Sequence, residues 1–131
     1  MTADSRQKRV TKVEDLEVFR IAHDLAVDIY RLTQKFPAEE KFGLVSQMRR
    51  AASSIAANLM EGGHRLTKKE FRHFVGIAKG SAGEMKYYAL LARDLGYIAE
   101  TDFRRISEGL DDIGKMLYGL VRSLTDTGTV H

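Results

Sequence analysis

The sequence predicts an all-α protein, an antiparallel up-down four-helix bundle, from three observations. Apolar residues recur three and four positions apart in four successive segments, which is the spacing of one helix face. No segment alternates apolar and polar residues over a length that would suit a strand. The links between the four segments are short, which favours antiparallel neighbours.

The first two predicted helices are defined by their apolar stripes and by the residues that end them. The stripe of the first is Leu16, Phe19, Ala22, Ala26, Ile29 and Thr33, and that of the second is Leu44, Met48, Ala51, Ile55 and Leu59. Phe36-Pro37 ends the first helix, because the residue before a proline avoids helical geometry. Gly62-Gly63 is predicted to stop the second, since glycine is preferred just past a helix end.

The third and fourth predicted helices begin at residues suited to capping. A Thr-x-x-Glu capping box at Thr67 opens the third helix, and Gly96 follows its end. Thr101 is predicted to cap the fourth. The third helix also contains Gly76, Gly80 and Gly83, which cost about 1 kcal/mol each relative to alanine. We expect close contact with the small residues of the second helix, residues 51–57, to offset that cost.

The length of 131 residues suits a single domain. We divide the chain into a flexible basic N-terminal arm over residues 1–12, the four-helix bundle over residues 13–125 and a short tail over residues 126–131. The absence of cysteine excludes disulfides, thiolate zinc sites and a cysteine nucleophile, and it fits a reducing compartment. The chain shows neither a signal-peptide pattern nor an apolar run of membrane-spanning length, so a cytoplasmic protein without membrane contact is expected.

The sequence gives no support for catalysis or for a metal site. A di-iron bundle needs Glu-x-x-His on two helices, and the two occurrences here begin at Glu61 and Glu70. Both fall at one end of the molecule, around the link between the second and third helices, so they cannot line the middle of a core. No nucleophile has an identifiable base, and no glycine-rich loop follows a strand. We therefore predict a protein that is not an enzyme and that uses neither a metal nor a cofactor.

The charge is distributed unevenly along the chain. Residues 41–93 hold ten basic and three acidic side chains, whereas residues 13–40 and 94–131 are both net acidic. The basic middle would suit phosphate binding, or it would neutralise acidic helices where helices or subunits meet. The candidate nucleic-acid-binding residues are Arg49, Arg65, Lys68, Lys69, Arg72 and Lys79, with Arg6, Lys8, Arg9 and Lys12 of the arm. No aromatic platform is interleaved with them along the sequence.

One polar stripe on the second helix is unusually regular. Its members, at intervals of three and four residues, are Gln47, Arg50, Ser54, Asn58 and Glu61. Glu84 on the third helix is a candidate partner for Arg50. We favour a structural or assembly role for this stripe over ligand binding, because buried polar networks often fix register.

These residues resemble a known family. The pattern from Phe42-Gly43-Leu44 through the polar stripe to Glu61-Gly62, continued by Gly80-Ser81-x-x-Glu84, is similar to the central motif of the four-helix-bundle proteins encoded in 23S ribosomal RNA intervening sequences. These proteins are also labelled ribosomal protein S23-like, and the resemblance covers about residues 14–125. It implies an antiparallel bundle that assembles into a homopentamer, with nucleic-acid binding as the usual proposal for its role.

Two functions are therefore predicted from different classes. The first is an oligomeric protein that binds nucleic acid, with RNA favoured over DNA, through the basic surface of the second and third helices. The alternative is a structural or adaptor oligomer that recruits a protein partner and makes no direct contact with nucleic acid.

Overall fold

Four α-helices make up most of residues 12–125, the part of the chain that the computed structural model describes. They are α1 (Glu17–Thr33), α2 (Leu44–Gly63), α3 (Lys68–Asp94) and α4 (Glu100–Ser123). Short 3-10 turns at Val13–Asp15 and Ala38–Glu40 precede α1 and α2. The described residues contain no strand, and each helix packs against the next, with α4 returning to α1. The predicted all-α, four-helix-bundle fold is confirmed.

The core lies where the four apolar stripes meet. Ile29, Met48, Ile55, Met85 and Ile113 are among its large side chains that are fully enclosed. Every side-chain nitrogen or oxygen that is buried in the described residues has a hydrogen-bond partner. Among residues 12–125, none of the helices has both the length and the apolar character that a membrane span requires. Most of the predicted arm, including Arg6, Lys8 and Arg9, and the tail over 126–131 lie outside the described residues.

The helix ends agree with the sequence prediction at α3 and differ from it at α4. Thr67 Oγ1 accepts a hydrogen bond from the Glu70 amide at 3.1 Å, as a capping box requires. After α3, Gly96 has a positive φ of 80°, and the Tyr97 amide donates to the Ala92 carbonyl at 2.9 Å, which forms a Schellman ending. The prediction that Thr101 caps α4 is wrong. The cap is Ala99, whose extended backbone already accepts the first helical hydrogen bond, from the Phe103 amide.

The helix α2 ends at Gly63, as predicted, but Gly62 has an additional packing role and three glycines of α3 do not have the role predicted for them. Gly62 lies inside the last turn of α2 and is buried. A Cβ at this position would be 2.8 Å from Phe74 Cβ and 3.3 Å from the Phe71 carbonyl oxygen. Gly62 therefore permits close approach of α2 and α3. By contrast, a Cβ at Gly76, Gly80 or Gly83 would have no atom within 4 Å. The prediction that these three glycines pack against α2 is wrong, since alanines such as Ala78 and Ala82 occupy the inward face of α3 instead.

Gly62→Ala should destabilise the fold by about 1–3 kcal/mol, because the added methyl group would overpack the contact between α2 and α3. Gly109→Ala is the matched control, since a Cβ at this mid-helix position of α4 has no atom within 4 Å. It should stabilise the fold by up to about 1 kcal/mol through helix propensity. Urea unfolding at one protein concentration measures both. Equal effects of the two variants would contradict the assigned role of Gly62.

Candidate nucleic-acid interface

The polar stripe of α2 lies along the seam between α2 and α3. The Arg50 guanidinium contacts Glu84 Oε2 at 2.7 Å and also donates to Gln47 Oε1 at 2.8 Å. The Tyr88 hydroxyl donates to the same Glu84 oxygen at 3.2 Å. Arg50 and Glu84 are thus paired within one chain, between neighbouring helices.

The rest of the stripe is also engaged within the chain. The Ser54 hydroxyl lies 2.9 Å from that of Ser81 on α3, and Asn58 Nδ2 donates to the Ser54 carbonyl at 2.8 Å. Glu61 contacts Arg65 at 2.7 Å, in the link between α2 and α3, and does not reach a side chain of another helix. These contacts position α2 against α3. A role for the stripe in contact between subunits stays a prediction.

The ion pair changes the acidity of Glu84. The Arg50 hydrogen bond lowers the pKa of the Glu84 carboxyl from its ordinary value of 4.5, and the Tyr88 hydrogen bond lowers it further. Partial burial raises this pKa, and its effect is smaller than that of the Arg50 hydrogen bond but larger than that of the Tyr88 hydrogen bond. Glu84 is therefore held as a carboxylate in the folded protein.

Two of the predicted phosphate-binding arginines already contact other residues of the chain. Arg49 donates to Thr33 Oγ1 at 2.9 Å and to the Tyr30 carbonyl at 3.1 Å, with its guanidinium 4.6 Å from the Tyr30 ring centroid. Arg65 pairs with Glu61 and lies 4.8 Å from the Phe74 ring centroid. Arg49 thereby links α2 to α1, away from α3 and α4.

The other predicted basic residues gather on α3. Lys68, Lys69 and Arg72 line a cleft of about 430 Å³ with Thr67 and with Leu124, which follows α4. None of the three basic side chains forms an ion pair with another residue of the 12–125 region. Lys12 is exposed.

Further along α3, basic residues continue toward the middle of the bundle. Arg72, Lys79 and Lys86 are seven residues apart, so they share one helix edge about 21 Å long. This edge faces α4, because Lys86 contacts Asp111 of α4 at 2.6 Å and Lys79 lines a groove together with Gly114 and Tyr118. We call Lys68, Arg72, Lys79 and Lys86 the basic edge.

Sequence reasoning missed the residues that α4 adds beside this edge. Lys115 and Tyr118 line the same groove as Lys79, and the Arg122 guanidinium lies 6.0 Å from the Tyr118 ring centroid. The seven-residue spacing of Arg72, Lys79 and Lys86 is present in the sequence and is a signal from which the basic edge could have been predicted. The nearness of Tyr118 to it arises from helix packing and has no local signal.

The two Glu-x-x-His segments are used in local contacts. His64 Nδ1 lies 2.9 Å from the Met60 carbonyl, and a Glu70 oxygen accepts from the Leu66 amide at 3.3 Å. Within the described residues, no three His, Asp or Glu side chains are grouped as metal ligands would be.

Comparison with known proteins places the chain in a family. The profile of the 23S rRNA-intervening sequence protein matches residues 14–119, which span all of α1 to α3 and most of α4. The chain belongs to this family. A crystal structure of a protein of unknown function from the S23 ribosomal protein family of Bacteroides thetaiotaomicron is also similar, with a TM-score of 0.76 and 26% identity over 86% of this chain and 99% of that one. A search of curated proteins found no match.

In this member of the 23S rRNA-intervening sequence protein family, the motif that carried the resemblance forms α2 and the first two thirds of α3. Two residues of the motif, Arg50 and Glu84, form an ion pair with each other, and a third, Gly62, lies where α2 and α3 approach each other closely. The motif therefore specifies how two helices pack. Membership of the family assigns no activity to the basic edge.

Glu84→Gln should lower the free energy of unfolding by at most about 1 kcal/mol at neutral pH, because the pair with Arg50 is partly exposed. The folded-state pKa of Glu84 lies below the unfolded value. The contribution of the pair is therefore complete above the ordinary pKa and is lost as the pH falls through the folded-state pKa.

Urea unfolding across this pH range measures the difference between the wild type and Glu84→Gln, which should shrink to nothing in acid. Glu108→Gln is the control, since Glu108 forms no ion pair with the described residues and its variant should show no such trend. A difference that persists unchanged in acid would contradict the assigned role of the ion pair.

Proposed function

We propose that the protein is a non-enzymatic, cytoplasmic nucleic-acid-binding bundle, with RNA favoured, and that its contact surface is the basic edge. The observation that carries the proposal is the alignment of Lys68, Arg72, Lys79 and Lys86 on one side of α3. Lys115 of α4 and the neighbouring Lys69 add to the same positive surface. Of these six cations, only Lys86 has an acidic partner within residues 12–125.

The chemistry of such an edge suits the phosphate backbone. Lysine and arginine contacts to phosphate release condensed counterions, so affinity falls steeply with salt and depends little on sequence. The edge extends for about 27 Å from Lys68 to Lys86, which is long enough to meet several successive phosphates. Arg65 and the basic residues of the arm would add charge, whereas the contacts of Arg49 with α1 make it a structural residue first.

The triple variant Lys68→Glu, Lys69→Glu and Arg72→Glu should abolish binding of a structured RNA, because it reverses the charge of the cleft at one end of the basic edge. Fluorescence anisotropy at low and near-physiological salt measures the affinity. The wild-type affinity should fall steeply as the salt concentration rises.

The matched control is Arg31→Glu, Lys35→Glu and Lys41→Glu, which changes the net charge equally at the opposite end of the bundle. This variant should retain most of the wild-type affinity. Equal losses of RNA affinity in the two triple variants would show that the effect comes from net charge alone. RNA binding that is retained in the Lys68, Lys69 and Arg72 variant would exclude the basic edge as the contact surface.

A second function, an adaptor oligomer, is favoured by the outward face of α3. Gly76 and Gly80 leave this face flat and open, and the Tyr87 side chain beside them is 57% exposed. Flat, small-residue helix surfaces allow another helix to approach closely. Under this second proposal the chain self-associates through this face. The family resemblance implies that the oligomer is a pentamer. The assembled oligomer would then present a surface for a protein partner.

Gly80→Leu should lower the mass of the assembled protein, because the new side chain would stand out from this face without meeting the core. Gly119→Leu on α4 is the matched control, since its Cβ is equally free within the chain. Light scattering coupled to size exclusion measures the mass. A wild-type monomer, or an unchanged mass in Gly80→Leu, would contradict assembly through this face.

A further inference from the structure

A groove between α3 and α4 has the size and lining of a small-molecule site. Its volume is about 540 Å³, within the range of about 300–1,000 Å³ that is usual for ligand pockets. Gly83 on α3 and Gly114 on α4 lie in its wall, and neither would place a Cβ within 4 Å of another atom. The two missing side chains, with Ala82 and Leu110, leave an open apolar floor.

The rim of the groove is positively charged. Lys79, Lys86 and Lys115 line it with a single acidic residue, Asp111. Lys86 and Asp111 contact each other across the seam at 2.6 Å. Lys79 and Lys115 have no ion-pair partner among residues 12–125, so the charge available to a ligand is that of two lysines above an apolar floor.

An aromatic ring completes the lining. The Tyr118 side chain lines the groove and is 56% exposed, so much of its surface is open to solvent. Base stacking on aromatic side chains, combined with nearby cations for the backbone, is how proteins hold single strands. A run of acidic residues in a peptide would use the lysines but would leave the exposed ring and the apolar floor without a matching group.

We propose that this groove seats one nucleotide of a single-stranded nucleic acid, with its base against Tyr118 and the apolar floor and its flanking phosphates at Lys79 and Lys115. The proposal rests on the nucleic-acid binding proposed above and adds a single-strand site to the basic edge. It predicts that the bases, as well as the phosphates, contribute to the binding affinity.

The first test compares Tyr118→Ala and Tyr118→Phe by fluorescence anisotropy with labelled oligouridine and with an abasic strand of equal length. Tyr118→Ala should weaken oligouridine binding about ten-fold or more, whereas Tyr118→Phe keeps the ring and should keep the affinity. The abasic strand should bind the wild type and Tyr118→Ala alike. Unchanged oligouridine binding in Tyr118→Ala, or equal losses for both strands, would overturn the proposal.

The second test fills the groove without changing its charge. Gly114→Leu should weaken oligouridine binding to the same extent as Tyr118→Ala, and Gly119→Leu, elsewhere on α4, should not. Circular dichroism is the measurement that checks whether both variants fold. Equal loss in the two glycine variants, or displacement of oligouridine by poly-glutamate as effective as by unlabelled oligouridine, would overturn the nucleotide assignment.

The outcomes separate this inference from the proposed function. A wild-type protein that binds no strand at low salt would overturn both. Binding that is lost on charge reversal at Lys68, Lys69 and Arg72 but is unchanged in Tyr118→Ala and Gly114→Leu would leave the basic edge as a phosphate surface and overturn the nucleotide site.

Discussion

The close approach of α2 to α3 is the constraint on which the rest of the structure depends. At Gly62 the two helices are near enough that a single methyl group would collide with the side chains of Phe74 and Phe71. The hydrogen bond between Ser54 and Ser81 continues this contact toward the middle of the seam. Contact on one side fixes the rotation of α3 about its own axis, and rotation decides which of its residues face α4 and which face outward.

Each of the four seams between neighbouring helices contains at least one bridging cation, and the α3–α4 seam contains a second, Arg93, which contacts Glu100 at 4.0 Å. Arg49 joins α2 to α1, Arg50 joins α2 to α3, Lys86 joins α3 to α4, and Arg105 joins α4 to Asp28 of α1 at 3.0 Å. These exposed or half-buried contacts add little stability individually, but they select one arrangement of the helices. They also bear on the proposed phosphate surface, because a cation that is paired in a seam, as Lys86 is with Asp111, has less of its charge available for phosphate.

The helices and much of the α2–α3 contact could be predicted from sequence, because both follow local spacing. The pairing of Arg50 with Glu84 was suggested by the helical periodicity of the polar stripe on the second helix, with Glu84 as a candidate partner on the third. The direction of Gly76, Gly80 and Gly83 was predicted wrongly, because a glycine has no side chain whose polarity indicates a buried or an exposed face. Tyr118 was missed as a candidate, because its position beside Lys79 depends on the packing of α4 against α3, across 39 residues of sequence.

The two proposed surfaces of α3 are neighbours on the helix. Successive residues are about 100° apart around a helix, so Gly80 lies about a quarter of a turn from Lys79, which borders the seam with α4. Copies of the chain that meet through Gly76 and Gly80 would therefore place the basic edge and the Tyr118 groove beside the contact, with Gly83 in the wall of the groove close to it. Such an assembly would repeat a modest single-strand site several times. Linked sites bind one strand far more tightly than any of them does alone, provided that the strand can reach from one site to the next.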